Sequence, residues 1–177
     1  SDRGQNIARS PIGWLGVNLV TAILASVVIG MFDASLEQMV ALAILMPIVA
    51  SMGGNAGTQT MTVAVRALST GDLDTYNAQR IVKKELTVGL LNGVAFAVIV
   101  GFVTLFWFGL PSLGVIIGLA MIINMLFAAA SGILIPIALD KFDFDPAISS
   151  GVFVTTVTDI VGFFAFLGLA AWWYGIF

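Results

Sequence analysis

Five long apolar runs dominate this chain: Ile12–Phe32, Met39–Val65, Leu86–Leu110, Leu113–Leu139 and Ala147–Trp173. A hydrocarbon core needs about 20 apolar residues to be crossed as helix, and each run supplies that length. Inside lipid, every backbone N–H and C=O must bond within a helix or a closed barrel. The runs are continuous rather than alternating over short segments, so they predict helices and not barrel strands. The expected fold class is an all-α membrane protein with five transmembrane helices.

Composition agrees. Of 177 residues, 59% are hydrophobic and 10% charged, with mean hydropathy +1.07. A soluble domain carries about 25% charged residues, so this chain cannot wrap itself in polar surface. It has no cysteine and no histidine. That excludes disulfides, thiolate and imidazole metal sites and histidine acid–base chemistry from these residues. No basic cluster fit for nucleic acid is present. The N-terminal "SDRGQNIARSPIGWL" places basic residues before an apolar run but lacks a small-residue cleavage site, unlike a secretory signal. Its abrupt start is expected of a piece of a longer protein.

The connections set the topology. Asp33–Gln38 joins the first and second runs and carries Asp33 and Glu37 but no base; a turn at Pro111 joins the third and fourth. The long polar Arg66–Glu85 stretch offers Asp74 as a helix N-cap, and "DKFDFD" at 140–145 ends in Asp145 followed by Pro146, an N-cap and first-turn pair. Arg3, Arg9, Arg66, Arg80, Lys83, Lys84 and Lys141 are all the bases, and with five crossings they fall on one side. The positive-inside rule makes that side cytoplasmic. The C-terminus is then outside, anchored by Trp172, Trp173 and Tyr174. Asp33 and Glu37 would lie at the outer mouth, either gathering cations or simply solvated.

One ionisable residue lies within the runs: Asp159, in "SSGVFVTTVTDIVGFF". It is about 18 Å along its helix, near the midplane. A charge there costs on the order of 3 kcal/mol or more. No other run holds a base to pair with it. Gly151, Thr155, Asp159 and Gly162 share one helical stripe, a polar track or a small-residue packing seam.

The second run contains "PIVASMGGNAGTQTMTVAVRAL". Pro47 should bend this helix, and Gly53, Gly54 and Gly57 should weaken it, freeing carbonyls. Those carbonyls and the Asn55 amide would be hard oxygen ligands; the alternative is a tight helix crossing with no ligand. Asn18, Asn92 and Asn124 are expected to make interhelical hydrogen bonds. A two-fold dimer with Asp159 near its axis would present two carboxylates, which a divalent cation could neutralise. Oxygen-only ligands suit Mg²⁺, Ca²⁺ or Mn²⁺.

"PIVASMGGNAGTQT…AVRALSTGDL", "KKEL" and "FDPAISSGVFVTTVTDIVGF" together resemble the membrane domain of the MgtE family of magnesium channels, over the whole chain. The resemblance implies a homodimer in a bacterial inner membrane, passing hydrated Mg²⁺ down its gradient through a pore lined by the second and fifth helices. Asp159 falls on the pore carboxylate, and Thr155 and the Gly53–Asn55 backbone on positions lining the filter. Gly151 falls at the cytoplasmic end of the pore, and Asp145 on an acidic position that helps bind a regulatory Mg²⁺. Residues 1–10 would be the end of a cytoplasmic connecting helix and 11–177 the pore domain. Relatives carry cytoplasmic sensor domains before the membrane part; without them this chain is expected to lack normal gating.

Three other readings compete. A carrier would couple Mg²⁺ to protons or Na⁺ through Asp159. An intramembrane aspartyl protease would need Asp159 from each chain of a dimer, but lacks a substrate gate. A structural subunit would gain stability with leucine in place of Asp159. No enzyme activity is expected.

Overall fold

The computed structural model describes residues 11–73 and 77–176. Five helices are long and apolar enough to cross a membrane: α1 Pro11–Gly30, α3 Val40–Ser69, α4 Ala78–Phe108, α5 Pro111–Lys141 and α6 Pro146–Tyr174, with a short α2, Asp33–Gln38, between the first two. Among the described residues there is no strand. The chain is therefore a multi-pass membrane protein.

The helices outrun the apolar segments. The connection read as Arg66–Glu85 shrinks, because α3 continues to Ser69 and α4 begins at Ala78. Likewise Asp33–Gln38 is a helical turn rather than open loop. Thirty residues of helix span about 45 Å, the full bilayer with its headgroup layers. Polar side chains such as Arg80, Lys83 and Lys84 sit comfortably in that interfacial zone, so nothing ends the helix at the hydrocarbon edge. Residues 1–10 and Asp74, with the connecting-helix and N-cap expectations placed on them, lie outside the described residues.

Helix α5 is the hub. Leu113, Ile116, Ile117, Ala120, Asn124 and Ala128 are fully buried in it. Helices α3, α4 and α6 pack around it, and α1 lies outside against α6. Trp14 of α1 meets Phe144 and Phe153 edge-on, with centroids 6.2 and 5.9 Å apart. Lipid tails are as apolar as leucine, so close backbone approach holds such helices together rather than hydrophobic contrast. In the α4–α5 seam, a Cβ on Gly114 would lie 2.8 Å from the Gly101 carbonyl. The turn between these helices uses Gly109 at φ 68°, followed by Pro111 at the first position of α5.

At the end of the bundle where α6 finishes, α2 is tied down by Ser35, whose hydroxyl donates to the Ile176 carbonyl at 2.5 Å. Ser112 and Tyr174 share a hydrogen bond of 2.6 Å, joining the start of α5 to the end of α6.

The freed glycine carbonyls expected in α3 are not found. The helix runs from Val40 to Ser69 through Pro47 and the glycine run. In lipid a broken backbone would leave unpaired groups, so the ladder closes around the one N–H that proline lacks. The glycine carbonyls stay within the helix, and that of Gly54 also accepts the Thr58 hydroxyl at 2.8 Å.

Candidate membrane-spanning polar groove

The glycines of α3 serve neighbouring helices. A Cβ on Gly57 would lie 2.6 Å from Val154 Cγ1 of α6, and one on Gly53 would collide with the Asn124 amide of α5. Gly54 stands beside Thr158, at 3.9 Å from its hydroxyl oxygen. As numbers rise on α3 from Gly54 to Gly57, the contacts on α6 fall from Thr158 to Val154, so the two helices are antiparallel.

That contact line decides which side chains share a space. Helix residues advance about 100° each. Ser51, Asn55, Thr58 and Thr62 lie about 40–100° round from Gly54 in one rotational sense. Thr155 and Asp159 lie about 60–100° round from Thr158 in the same sense. For antiparallel helices, the same sense turns both sets to one side of the seam. Ser51, Asn55, Thr58, Thr62 and Thr155 are exposed there and Asp159 is half-buried. These residues form one polar strip on one side of the α3–α6 seam, running through the apolar layer.

Its chemistry is that of an oxygen-rich acceptor surface. Thr62 donates its hydroxyl proton to the Thr58 carbonyl at 2.8 Å, as Thr58 does to Gly54. Their remaining lone pairs are free to accept from water. Among the described residues, Asp159 has no hydrogen-bond or ion-pair partner. A carboxylate at this depth with no counter-charge takes up either a proton or a cation from outside the side chains.

Of the residues singled out in the sequence, Gly54 lies at the α3–α6 seam, and Asp159, Thr155 and Asn55 turn to the side of the polar strip. Gly53 sits behind it, packed on Asn124. The small-residue stripe of α6 divides: Gly151 is open, with nothing within 4 Å of a Cβ, while Gly162 is packed against Asn124 and Val49. Asp145 stands apart, in a hollow of about 460 Å³ with Trp14, Asp140, Asp143 and Phe144. Its carboxylate accepts the Ala147 N–H at 3.0 Å, the expected N-cap. No three carboxylates converge as a metal cluster among the described residues.

The strip also holds Ser51, Thr58 and Thr62, which the sequence alone did not single out. The signal was available: hydroxyl and amide residues at 51, 55, 58 and 62 repeat at helical spacing. Asn124 does make its interhelical bond, donating to the Val49 carbonyl at 3.0 Å. Asn18 instead lines a cleft of about 750 Å³ with Gly151 and Thr155, and Asn92 a groove of about 190 Å³ with Gln59, Thr60 and Glu85.

Residues 46–169, from the end of the first α3 turns to near the end of α6, match the MgtE family of divalent cation transporters. The chain belongs to the MgtE family. It is 33% identical over 157 residues to the magnesium transporter MgtE of Bacillus subtilis, covering 89% of this chain and 35% of that protein. It is 34% identical over 160 residues to the magnesium transporter MgtE of Thermus thermophilus, covering 90% of this chain and 35% of the relative. The corresponding protein of Enterococcus faecalis is 30% identical over 171 residues, covering 97% and 38%. The chain thus spans little more than a third of the length of the curated relatives it matches.

Proposed function

We propose that this chain is the pore domain of a magnesium channel of the MgtE family, passing hydrated Mg²⁺ down its gradient. One observation carries the reading: the unpaired Asp159 carboxylate lies at mid-membrane depth on the same side of the α3–α6 seam as the Ser51–Asn55–Thr58–Thr62 strip. Mg²⁺ sheds water reluctantly, so a carboxylate and neutral oxygens can hold it through its waters. Asp159 supplies the charge; Asn55, Thr155 and the hydroxyls of Thr58 and Thr62 orient the hydration shell. Gly54 keeps the two walls close, and Gly53 does so from behind. A groove on one protomer becomes a closed path when a second copy covers it, which makes the homodimer the working unit.

The family points to the bacterial inner membrane and to cytoplasmic sensor domains as partners. The basic residues put the N-terminal side in the cytoplasm. Asp145 is the position for a regulatory Mg²⁺ at that face.

Mg²⁺ flux into liposomes carrying this chain tests the reading, with wild type beside Asp159→Asn. Wild type is expected to conduct down a Mg²⁺ gradient alone, and Asp159→Asn to lose flux or selectivity. Equal conduction by both would make Asp159 a packing residue. Flux that needs a proton or Na⁺ gradient would establish the coupled carrier instead.

A further inference from the structure

Behind the groove, one polar side chain touches both of its walls. Asn124 projects from α5 and is fully buried. Its Nδ2 donates to the Val49 carbonyl of α3 at 3.0 Å. The same amide fills the space a Cβ on Gly53 would take, and stands 2.8 Å from where a Cβ on Gly162 of α6 would be. Gly53 is two residues from Asn55, and Gly162 three from Asp159, so the amide head sits at the depth of the proposed filter. Its Oδ1 has no partner among the described residues, so one bond and the two glycine notches hold it.

We infer that Asn124 is a positioning residue of the permeation path: seated between Gly53 and Gly162, it sets the spacing of the α3 and α6 walls and so the fit to the hydrated ion. The inference rests on the proposed channel function. Its physical basis is general. Val49 O belongs to a helix whose own ladder would be intact without Asn124, so the added bond does not serve the secondary structure. It couples α5 to α3 at the one level where α6 also leaves room. Small-residue notches let backbones approach, and a buried amide between them fixes how far. A hydrated cation is discriminated by the width of the oxygen-lined path, and a wall displaced by a fraction of an ångström changes which hydration shell fits.

The test uses Asn124→Leu, which fills a similar volume and cannot donate. The chain has no cysteine, so a spin-label pair can be placed at will. Val63 of α3 and Phe164 of α6 are exposed and outside the proposed lining. Their distance is measured in reconstituted dimers diluted with unlabelled chain, alongside Mg²⁺ and Ca²⁺ flux. Asn124→Leu is expected to shift or broaden the distance distribution. It should also lower the Mg²⁺/Ca²⁺ flux ratio by roughly three- to tenfold, the range one net hydrogen bond can move an equilibrium. Unchanged distances and an unchanged ratio overturn the inference.

If Asn124→Leu does not fold, Gly162→Ala decides. It should shift the distances when Asn124 is present and leave them unmoved in an Asn124→Ala background, where the collision is gone. Equal shifts in both backgrounds overturn the inference. The distance arm needs no transport. A silent wild type would therefore defeat the channel reading while the distances still decide the role of Asn124.

Discussion

Asp145 acts locally whatever else binds beside it. Its carboxylate accepts the Ala147 N–H, and Pro146 follows at the first position of α6, so the residue starts the helix that carries Asp159. Removing such a cap costs about 1 kcal/mol, whereas asparagine caps as well as aspartate. Asp145→Ala should therefore lower the thermal midpoint in detergent, and Asp145→Asn should not. Equal midpoints for the two would mean the cap carries no stability. The same pair separates the cap from any charge-dependent role in binding a regulatory ion. Single residues were unevenly legible. Asp159 stood out because a lone carboxylate amid apolar residues is conspicuous in any sequence. Gly53 was conspicuous too, but its neighbour was not: nothing in "GGNAG" says that an asparagine 71 positions later will fill the notch.

Between elements, the α4–α5 seam brings backbone close against backbone. At Gly114 the obstacle to a Cβ is the Gly101 carbonyl, part of another helix's ladder, which cannot rotate away as a side chain can. Gly114→Ala should destabilise by about 1–3 kcal/mol, the usual range for overpacking. Gly16→Ala is the matched control, since nothing lies within 4 Å of its Cβ and helix propensity favours alanine there. Unfolding in mixed micelles would compare them, and equal effects would show that the seam tolerates separation. The number and order of the crossings were legible because hydropathy is a sum over neighbours in sequence. Helix ends were less so. Arg80, Lys83 and Lys84 look like loop residues by polarity, yet they lie within α4, because the headgroup layer accepts charged helix. Pro47 and the glycines looked like a source of freed carbonyls, yet the helix runs on, since lipid penalises an open ladder more than it penalises a missing N–H.

For the whole molecule, an odd number of crossings puts the two ends on opposite sides of the membrane. Glu37, in α2 between the first two crossings, and Asp143, between the last two, are both exposed. In intact cells an impermeant thiol reagent should label Glu37→Cys, and should reach Asp143→Cys only after the membrane is opened. The reverse pattern would invert the chain and put the Asp145 hollow outside. Sequence alone determined the crossings, the sidedness of charge and the uncompensated carboxylate, because each is a local property of a segment in lipid. Only the tertiary structure decided which face of α3 and α6 turns to the groove, which glycines serve packing, and that Asn124 stands behind both walls. The physical reason is that lipid and protein interior are equally apolar, so hydrophobicity cannot mark the inward face of a helix. Its rotation is set by the fit of small residues against neighbours far away in sequence.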